Sequence, residues 1–492
     1  MIGYSGGSLA TADFVAYHAA ERPAALALVG RGRAVAYAEF ERDLRGFTSA
    51  VCRIGLPRGS VAAIGSDDYY VHWLLLLAFE RVGVATASLA KVQNAAAAVL
   101  CASVDCVVVA PGYPVTGARR SIELTSDWLS DALSSKSATT AEAPAASHEP
   151  VRVLQSSGTT GAPKRIVLLR RMFEARVRQF AMQFEFTSRS RYLLTAGFNV
   201  GHIYGVATAC LRAGGTVVTD HVDGVSGIAQ AIALQQITHV SMFPIVLQQV
   251  LDELPANFVR PRDLAIHSFG AAISETLRDR ALQRLATDVY RNYGCNEAAA
   301  VYVSRAPYND GFFPVWPDTA VEIVDDEDRP QPPGTIGRIR MRTPCMVEGY
   351  PDDPEATRRH FRSGWFYPED MGVLNEAGQL RVSGRRDEIL NIGGEKVPPD
   401  ALESEVLKHA TVSDVGVCSF RNASGVEEVY FAVSFERGDP AEVLRGISEA
   451  FKAFALGAYY VVRLPSIPRN ASGKLQRDRL KLAVAAAVGK TV

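Results

Sequence analysis

The chain has almost no net charge: 52 lysines and arginines stand against 53 aspartates and glutamates, a formal −1 over 492 residues. That balance excludes a bulk electrostatic pull toward nucleic acid or an anionic membrane. Cysteine is scarce, seven in all, and only Cys101 and Cys106 lie close together. An odd, scattered set without a Cys/His cluster at zinc spacing argues against a disulfide framework and a structural zinc site. Long apolar runs are missing as well. The longest, Val71 to Phe79, includes His72 and falls far short of a bilayer span. Met1 to Ala10 lacks a basic stretch followed by an apolar core, so no secretory leader is expected. Together these absences predict a cytoplasmic protein with reduced thiols and no membrane span.

What is present is an ordinary globular composition, 48% hydrophobic and 21% charged. At this length two or more domains are expected. Short apolar strands alternate with helical stretches through the first 380 residues, the pattern of an α/β protein. Val217-Val218, Ile237 to Met242 and Leu264 to Phe269 read as buried strands, and Ser274 to Leu285 as a helix. Residues 134 to 149 are rich in Ala, Ser and Thr and read as a linker. Turns such as Pro332-Pro333-Gly334 and Glu376-Ala377-Gly378 punctuate a β-rich region over 314 to 382. Beyond Gly384 the character becomes charged, then α+β. The expected division is a large unit, 1–384, of helix-layered sheets with a β-rich subdomain, and a small α+β unit, 385–492. No internal repeat is evident.

The densest chemical signal is Ser156-Ser157-Gly158-Thr159-Thr160-Gly161-Ala162-Pro163-Lys164. Glycines let backbone N–H groups approach an anion, and hydroxyls add donors that rotate to suit it. Apolar strands, Val151 to Leu154 and Ile166 to Leu169, flank the run. Its expected guest is a polyphosphate. It is not a Walker-type loop, because only two residues separate Gly158 and Gly161 and Arg165 follows Lys164. Pro163 blocks a regular helix from starting at the lysine.

Four further segments carry polar groups suited to a nucleotide. Tyr293-Gly294-Cys295-Asn296-Glu297 sets a carboxylate past the strand-like Val289-Tyr290, where Mg²⁺ could be held beside phosphates. Asp370, after the aromatic turn Trp365 to Tyr367, can accept from both hydroxyls of a ribose diol. Arg385 to Glu388 forms a polar junction before the glycine pair Gly393-Gly394, Glu395 and Lys396. Pro468 to Lys474 places one lysine on a tight turn near the end of the chain. Read singly, Glu297, Asp370 and Lys474 are more readily solvated loop or turn residues than functional ones.

In this order the five segments resemble the adenylate-forming superfamily of acyl- and aryl-CoA ligases, stand-alone adenylation domains and beetle luciferases, over roughly 150 to 480. The resemblance implies that Ser156 to Lys164 cradles the β,γ-phosphates of ATP. It implies that Glu297 is the Mg²⁺ ligand, that Tyr293 lies near adenine, and that Asn296 stands where the family has an α-phosphate-contacting threonine. Asp370 would hold the ribose hydroxyls, with Glu369 in place of the family's usual glycine, and Arg385 would touch ribose or phosphate. Asp387 matches the hinge about which the small domain swings. Gly393, Gly394 and Lys396 would then face the thiol channel. Lys474 matches the lysine that bridges the acid carboxylate and the α-phosphate.

By the same resemblance Phe198 to Gly205 lines the acid pocket, with Asn199, His202, Gly270 and Ala271 as candidates. No acidic residue lies between 195 and 219 to pair an α-ammonium, so an aryl or medium-chain acid without an α-amine is expected. Asn199 either hydrogen-bonds a ring hydroxyl or packs. His202 contacts the acid or is a satisfied core histidine. Ala298 to Ala300 are expected to leave room. The implied activity is ATP- and Mg²⁺-dependent formation of an acyl-adenylate, then transfer to coenzyme A. The alternatives are loading of a carrier-protein phosphopantetheine, or a non-catalytic relative that only binds nucleotide or acyl group.

Overall fold

A computed structural model describes residues 9–30, 32–91, 95–134, 146–156, 164–219, 225–305, 311–386, 388, 390–392, 395–397, 399–409, 412–421, 427–435, 440–452, 459–470 and 473–489. Two largely parallel sheets and one antiparallel sheet build the first part of the chain. The apolar run read in the sequence becomes the helix Tyr69–Arg81. Asp68 caps it, accepting from the backbone N–H of Tyr70 and Val71. Leu74 to Ala78 are buried on every side, as expected of a helix without a polar face. The helix is wedged between the six-stranded sheet and the helix Tyr37–Ile54, which in turn meets the eight-stranded sheet. Trp73 packs there against Phe40 and Phe198.

In the six-stranded sheet the neighbouring strands Pro150–Ser156 and Lys164–Leu169 run antiparallel, with Ser156 opposite Lys164. Both strands are longer than the apolar residues alone suggested. Arg165 anchors the second through a two-pronged pair with Asp352 at 2.7 Å. The end of the linker is tied down rather than free, since Glu149 accepts two bonds from Arg58.

The eight-stranded sheet contains His239–Met242, Ala265–Ser268 and Asp288–Cys295 as parallel neighbours. Their carboxyl ends aim at one crevice, where open α/β sheets bind ligands. The helix expected over Ser274 to Leu285 forms at Glu275–Arg284, with Ser274 as its cap. The antiparallel sheet pairs Asp370–Leu374 with Gln379–Arg385 through the expected hairpin. Among the described residues after Arg385 come a two-stranded ribbon, a three-stranded sheet and three helices, Pro399–His409, Pro440–Lys452 and Arg477–Val488, around apolar clusters of their own. Among the described residues no helix is long and apolar enough to cross a membrane.

Candidate active site

The ends of these elements enclose a cleft of about 1540 Å³, lined from both sides of residue 385. Lys164, Asn199, His202, Gly270, Ala271, Tyr293, Asn296, Glu297, Asp370, Arg385 and Lys474 all border it. Ser157, Gly158, Thr159, Thr160, Gly161, Asp387, Gly393 and Gly394 lie outside the described residues. Ser156 ends its strand and Lys396 lies in the ribbon strand Glu395–Val397.

Tyr293 and Asp370 form a close polar pair. The Tyr293 hydroxyl donates to Asp370 Oδ2 at 2.6 Å. Asp370 opens its strand opposite Arg385, whose Nη1 stands 3.7 Å from Asp370 Oδ1 and donates to the Pro368 carbonyl at 2.9 Å. Burial pushes the Asp370 carboxyl above its ordinary range, against the opposing pull of the Tyr293 hydroxyl, Arg385 and Lys474. Burial, then the Asp370 charge, holds the Tyr293 phenol well up. Glu369, just before Asp370, adopts a left-handed backbone at φ 66°. That conformation explains why glycine suits this position.

Glu297 follows the strand Asp288–Cys295 by two residues. Its Oε1 accepts from the Tyr350 hydroxyl at 2.9 Å, and its carbonyl accepts from Val347 N–H and Arg176 Nη2. The Lys164 ammonium lies 4.8 Å from the centre of the same Tyr350 ring, a cation–π distance. Tyr350 therefore joins Lys164 to Glu297. Asn296 reaches the strand before that loop through Nδ2 to the Gln155 carbonyl at 3.4 Å. Tyr350 and Arg176 escaped the sequence reading. The only local signal for Tyr350 is the Gly-Tyr-Pro turn, and Arg176 has none.

Around His202 the wall is aromatic. Its ring stacks on Phe269 at 4.2 Å and meets the edge of Phe180 at 5.3 Å, while Nε2 lies 3.2 Å from Ser241 Oγ. Burial takes the imidazole down to about 3, so it is neutral. His202 thus borders the cleft and is also satisfied by a neighbour. Asn199 is exposed at the cleft wall, which removes the packing alternative. Gly270 has φ 82°, and a Cβ there would fall 2.7 Å from Phe243. Of Ala298 to Ala300, expected to leave room, Ala299 and Ala300 line the cleft. Ala298 is wholly buried, Ala299 packs with Ala175 and Cys345, and the Ala300 carbonyl accepts from Gln179.

Lys474 sits on a braced turn. Its N–H donates to Asn470 Oδ1 at 2.9 Å, and Arg469 donates to the Gly473 carbonyl at 2.9 Å. Arg469 is itself held two-pronged by Asp414 at 2.7 and 2.8 Å. Nearby, Arg477 gathers Glu388, Asp400 and Glu403. Three carboxylates share that one cation, and burial raises Glu403 to about 7.

Residues 15–351 match the family described as AMP-binding enzyme. The chain is 27% identical over 341 residues to the probable CoA ligase CCL9 of Humulus lupulus, covering 66% of this chain and 64% of that protein. It is 26% identical over 355 residues to the fatty acid–[acyl-carrier-protein] ligase ScoC of Streptomyces coeruleorubidus, covering 68% and 67%. The matched stretch therefore spans only about two thirds of either relative's length. The fold is that of ATP-bound MatB from Rhodopseudomonas palustris, with a TM-score of 0.84 at 22% identity, covering 97% of this chain and 100% of that one. On the strength of the match over residues 15–351, which is most of the chain, this protein belongs to the AMP-binding enzyme family.

Proposed function

We propose that the protein activates a carboxylic acid with ATP and passes the acyl group to a thiol, an acid–thiol ligase of the AMP-forming type. The observation that carries this reading is the convergence of Lys164, Glu297, the Tyr293–Asp370 pair and Lys474 on one cleft from widely separated segments. In this reading Ser156, Ser157, Gly158, Thr159, Thr160, Gly161 and Lys164 hold the β,γ-phosphates. Tyr293 stands by the adenine, Asn296 by the α-phosphate, and Asp370 with Arg385 takes the ribose. Glu297 suits Mg²⁺, an ion that needs few protein ligands beside phosphate oxygens and water. Tyr350 engages Oε1, and the Glu297 carboxylate would hold the ion. The ion, when bound, neutralises phosphate charge.

The acid's carboxylate oxygen attacks the α-phosphorus, the bond from that phosphorus to the bridging β-oxygen breaks, and pyrophosphate leaves. Lys474 stabilises charge on the carboxylate and the α-phosphate, and the cleft supplies alignment. The small unit beyond Asp387 then swings about that residue, withdraws Lys474 and brings Gly393, Gly394 and Lys396 to the cleft. The thiol gives up its proton, its sulfur attacks the acyl carbonyl, and AMP departs as the C–S bond forms.

The neutral, aromatic setting of His202 supports an aryl or medium-chain acid without an α-ammonium. The acceptor is coenzyme A. A carrier-protein phosphopantetheine is the second reading, favoured by the likeness to ScoC. Acid-dependent ATP–pyrophosphate exchange over benzoate, salicylate, octanoate and malonate tests the first step, and addition of coenzyme A or a phosphopantetheinylated carrier protein separates the acceptors. If no acid supports exchange, the reading as a non-catalytic binding relative gains over this one.

A further inference from the structure

The turn that carries Lys474 does not hang free over the cleft. Gly473 has φ 77°, and a Cβ at that position would fall 2.6 Å from Ile245 Cγ2 and 2.7 Å from Ile245 Cβ. The glycine is therefore pressed onto the Ile245 side chain, an approach only a residue without a Cβ can make. Ile245 is in the first turn of the helix Pro244–Glu253, directly after Pro244 at the helix start. That helix follows the strand His239–Met242 of the eight-stranded sheet. Ile245 is thus a β-branched, stiff side chain on a fixed part of the scaffold.

The other half of the contact is equally rigid. Arg469 grips the Gly473 carbonyl while paired with Asp414, and Asn470 receives the Lys474 N–H. With the turn braced from behind and seated on Ile245 in front, the approach of the Lys474 ammonium is set by a van der Waals stop. That ammonium is near enough for its charge to act on Asp370.

From this contact we infer that Ile245 is a positioning residue for the adenylation step: it is the seat on which Gly473 docks, and it fixes how far Lys474 enters the cleft. The inference rests on the reading above, in which Lys474 serves adenylation and withdraws for thioester formation. In that reading the contact belongs to the pose with Lys474 in the cleft, so its loss should affect one half-reaction. A displacement near 1 Å at a reacting group costs on the order of 10²-fold in rate. Truncating the seat while the brace remains costs less, about 10-fold or more.

The test uses the full chain, with whichever of benzoate, salicylate, octanoate or malonate gives the fastest exchange, together with the synthetic adenylate of that acid. Ile245→Ala is expected to lower the exchange kcat by about 10- to 100-fold with little change in KM for ATP or acid. Thioester formation from the supplied adenylate and coenzyme A should stay within about 2-fold of the unmodified protein. Ile245→Val, which keeps the β-branch, should restore most of the exchange. Lys474→Ala, the control, should abolish exchange. Equal loss of both halves in Ile245→Ala, or an unchanged exchange kcat, overturns the seat. Exchange that survives Lys474→Ala, or a panel in which no acid is active, overturns the reading beneath it instead, and the inference falls with it.

Discussion

The hydroxyl of Tyr350 donates to Oε1 of Glu297 at 2.9 Å, across 53 residues of sequence. The same ring lies against the Lys164 ammonium, so one side chain touches both ends of the expected phosphate site. Tyr350→Phe keeps the ring and removes the bond to a buried carboxylate. Such a bond is worth about 1.5–3 kcal/mol, and a drop of that order in urea-unfolding stability is expected. Exchange should need more Mg²⁺ for half-saturation, read by titrating the metal at fixed ATP. An unchanged metal requirement would separate Tyr350 from the phosphate site.

Gly270 and Glu369 give opposite expectations from the same backbone region. At Gly270, φ 82° and the Phe243 ring leave no place for a Cβ. Gly270→Ala should cost about 1–2 kcal/mol through left-handed strain and raise the acid's KM as Phe243 is displaced toward Phe269. Glu369 already bears the strain at φ 66°, against a solvent-facing pair with Arg359 at 3.3 Å. Glu369→Gly should be neutral or stabilise by up to about 1 kcal/mol. Thermal melts of the two variants, side by side, decide it.

The Arg477 cluster predicts a pH slope. Burial raises Glu403 to about 7 from an ordinary 4.5, so the folded state holds a proton that the unfolded chain releases. The stability tied to that proton is complete below about 4.5 and is lost as pH rises through about 7, by no more than about 3 kcal/mol. Glu403→Gln should flatten the curve across that window when unfolding is followed from pH 4.5 to 7.5. A parallel slope in both proteins would place the titration elsewhere.

Because burial takes His202 down to about 3, it stays neutral throughout the working range. The pH profile of kcat/KM for the acid should show no step near the ordinary imidazole value that is abolished by His202→Phe. The variant keeps the stack on Phe269 and loses only the contact with Ser241. A lower KM for apolar acids relative to hydroxylated ones is the expected outcome, measured over benzoate and salicylate.

Much of this site was legible in the chain. The Gly/Ser/Thr run between apolar strands located its own hairpin, since turn chemistry and alternating hydrophobicity are local properties. Glu297, Asp370 and Lys474 did not stand out singly; the order of the five segments, through the family resemblance, singled them out. Tyr350 was not legible, because its value comes from Lys164 and Glu297, both distant in sequence. Ala299 and Ala300 line the cleft as their small side chains suggested, but the packing of Ala299 against Ala175 and Cys345 joins residues distant in sequence and could not be read from it. Asn199 kept two readings until its exposure removed one.

The helix Tyr69–Arg81 has a bearing on how the chain is made. Its apolar surface is covered on one side by strands such as Val61–Gly65 and Ala85–Ser88, and elsewhere by Phe40 and Phe198. During synthesis it leaves the ribosome well before Phe198 and the inner strands of the eight-stranded sheet exist. Until they arrive it is an unshielded oily segment, open to chaperones and to wrong partners. A cut anywhere between residues 90 and 190 should therefore release no foldable fragment: the two sheets share one piece of core and mature together.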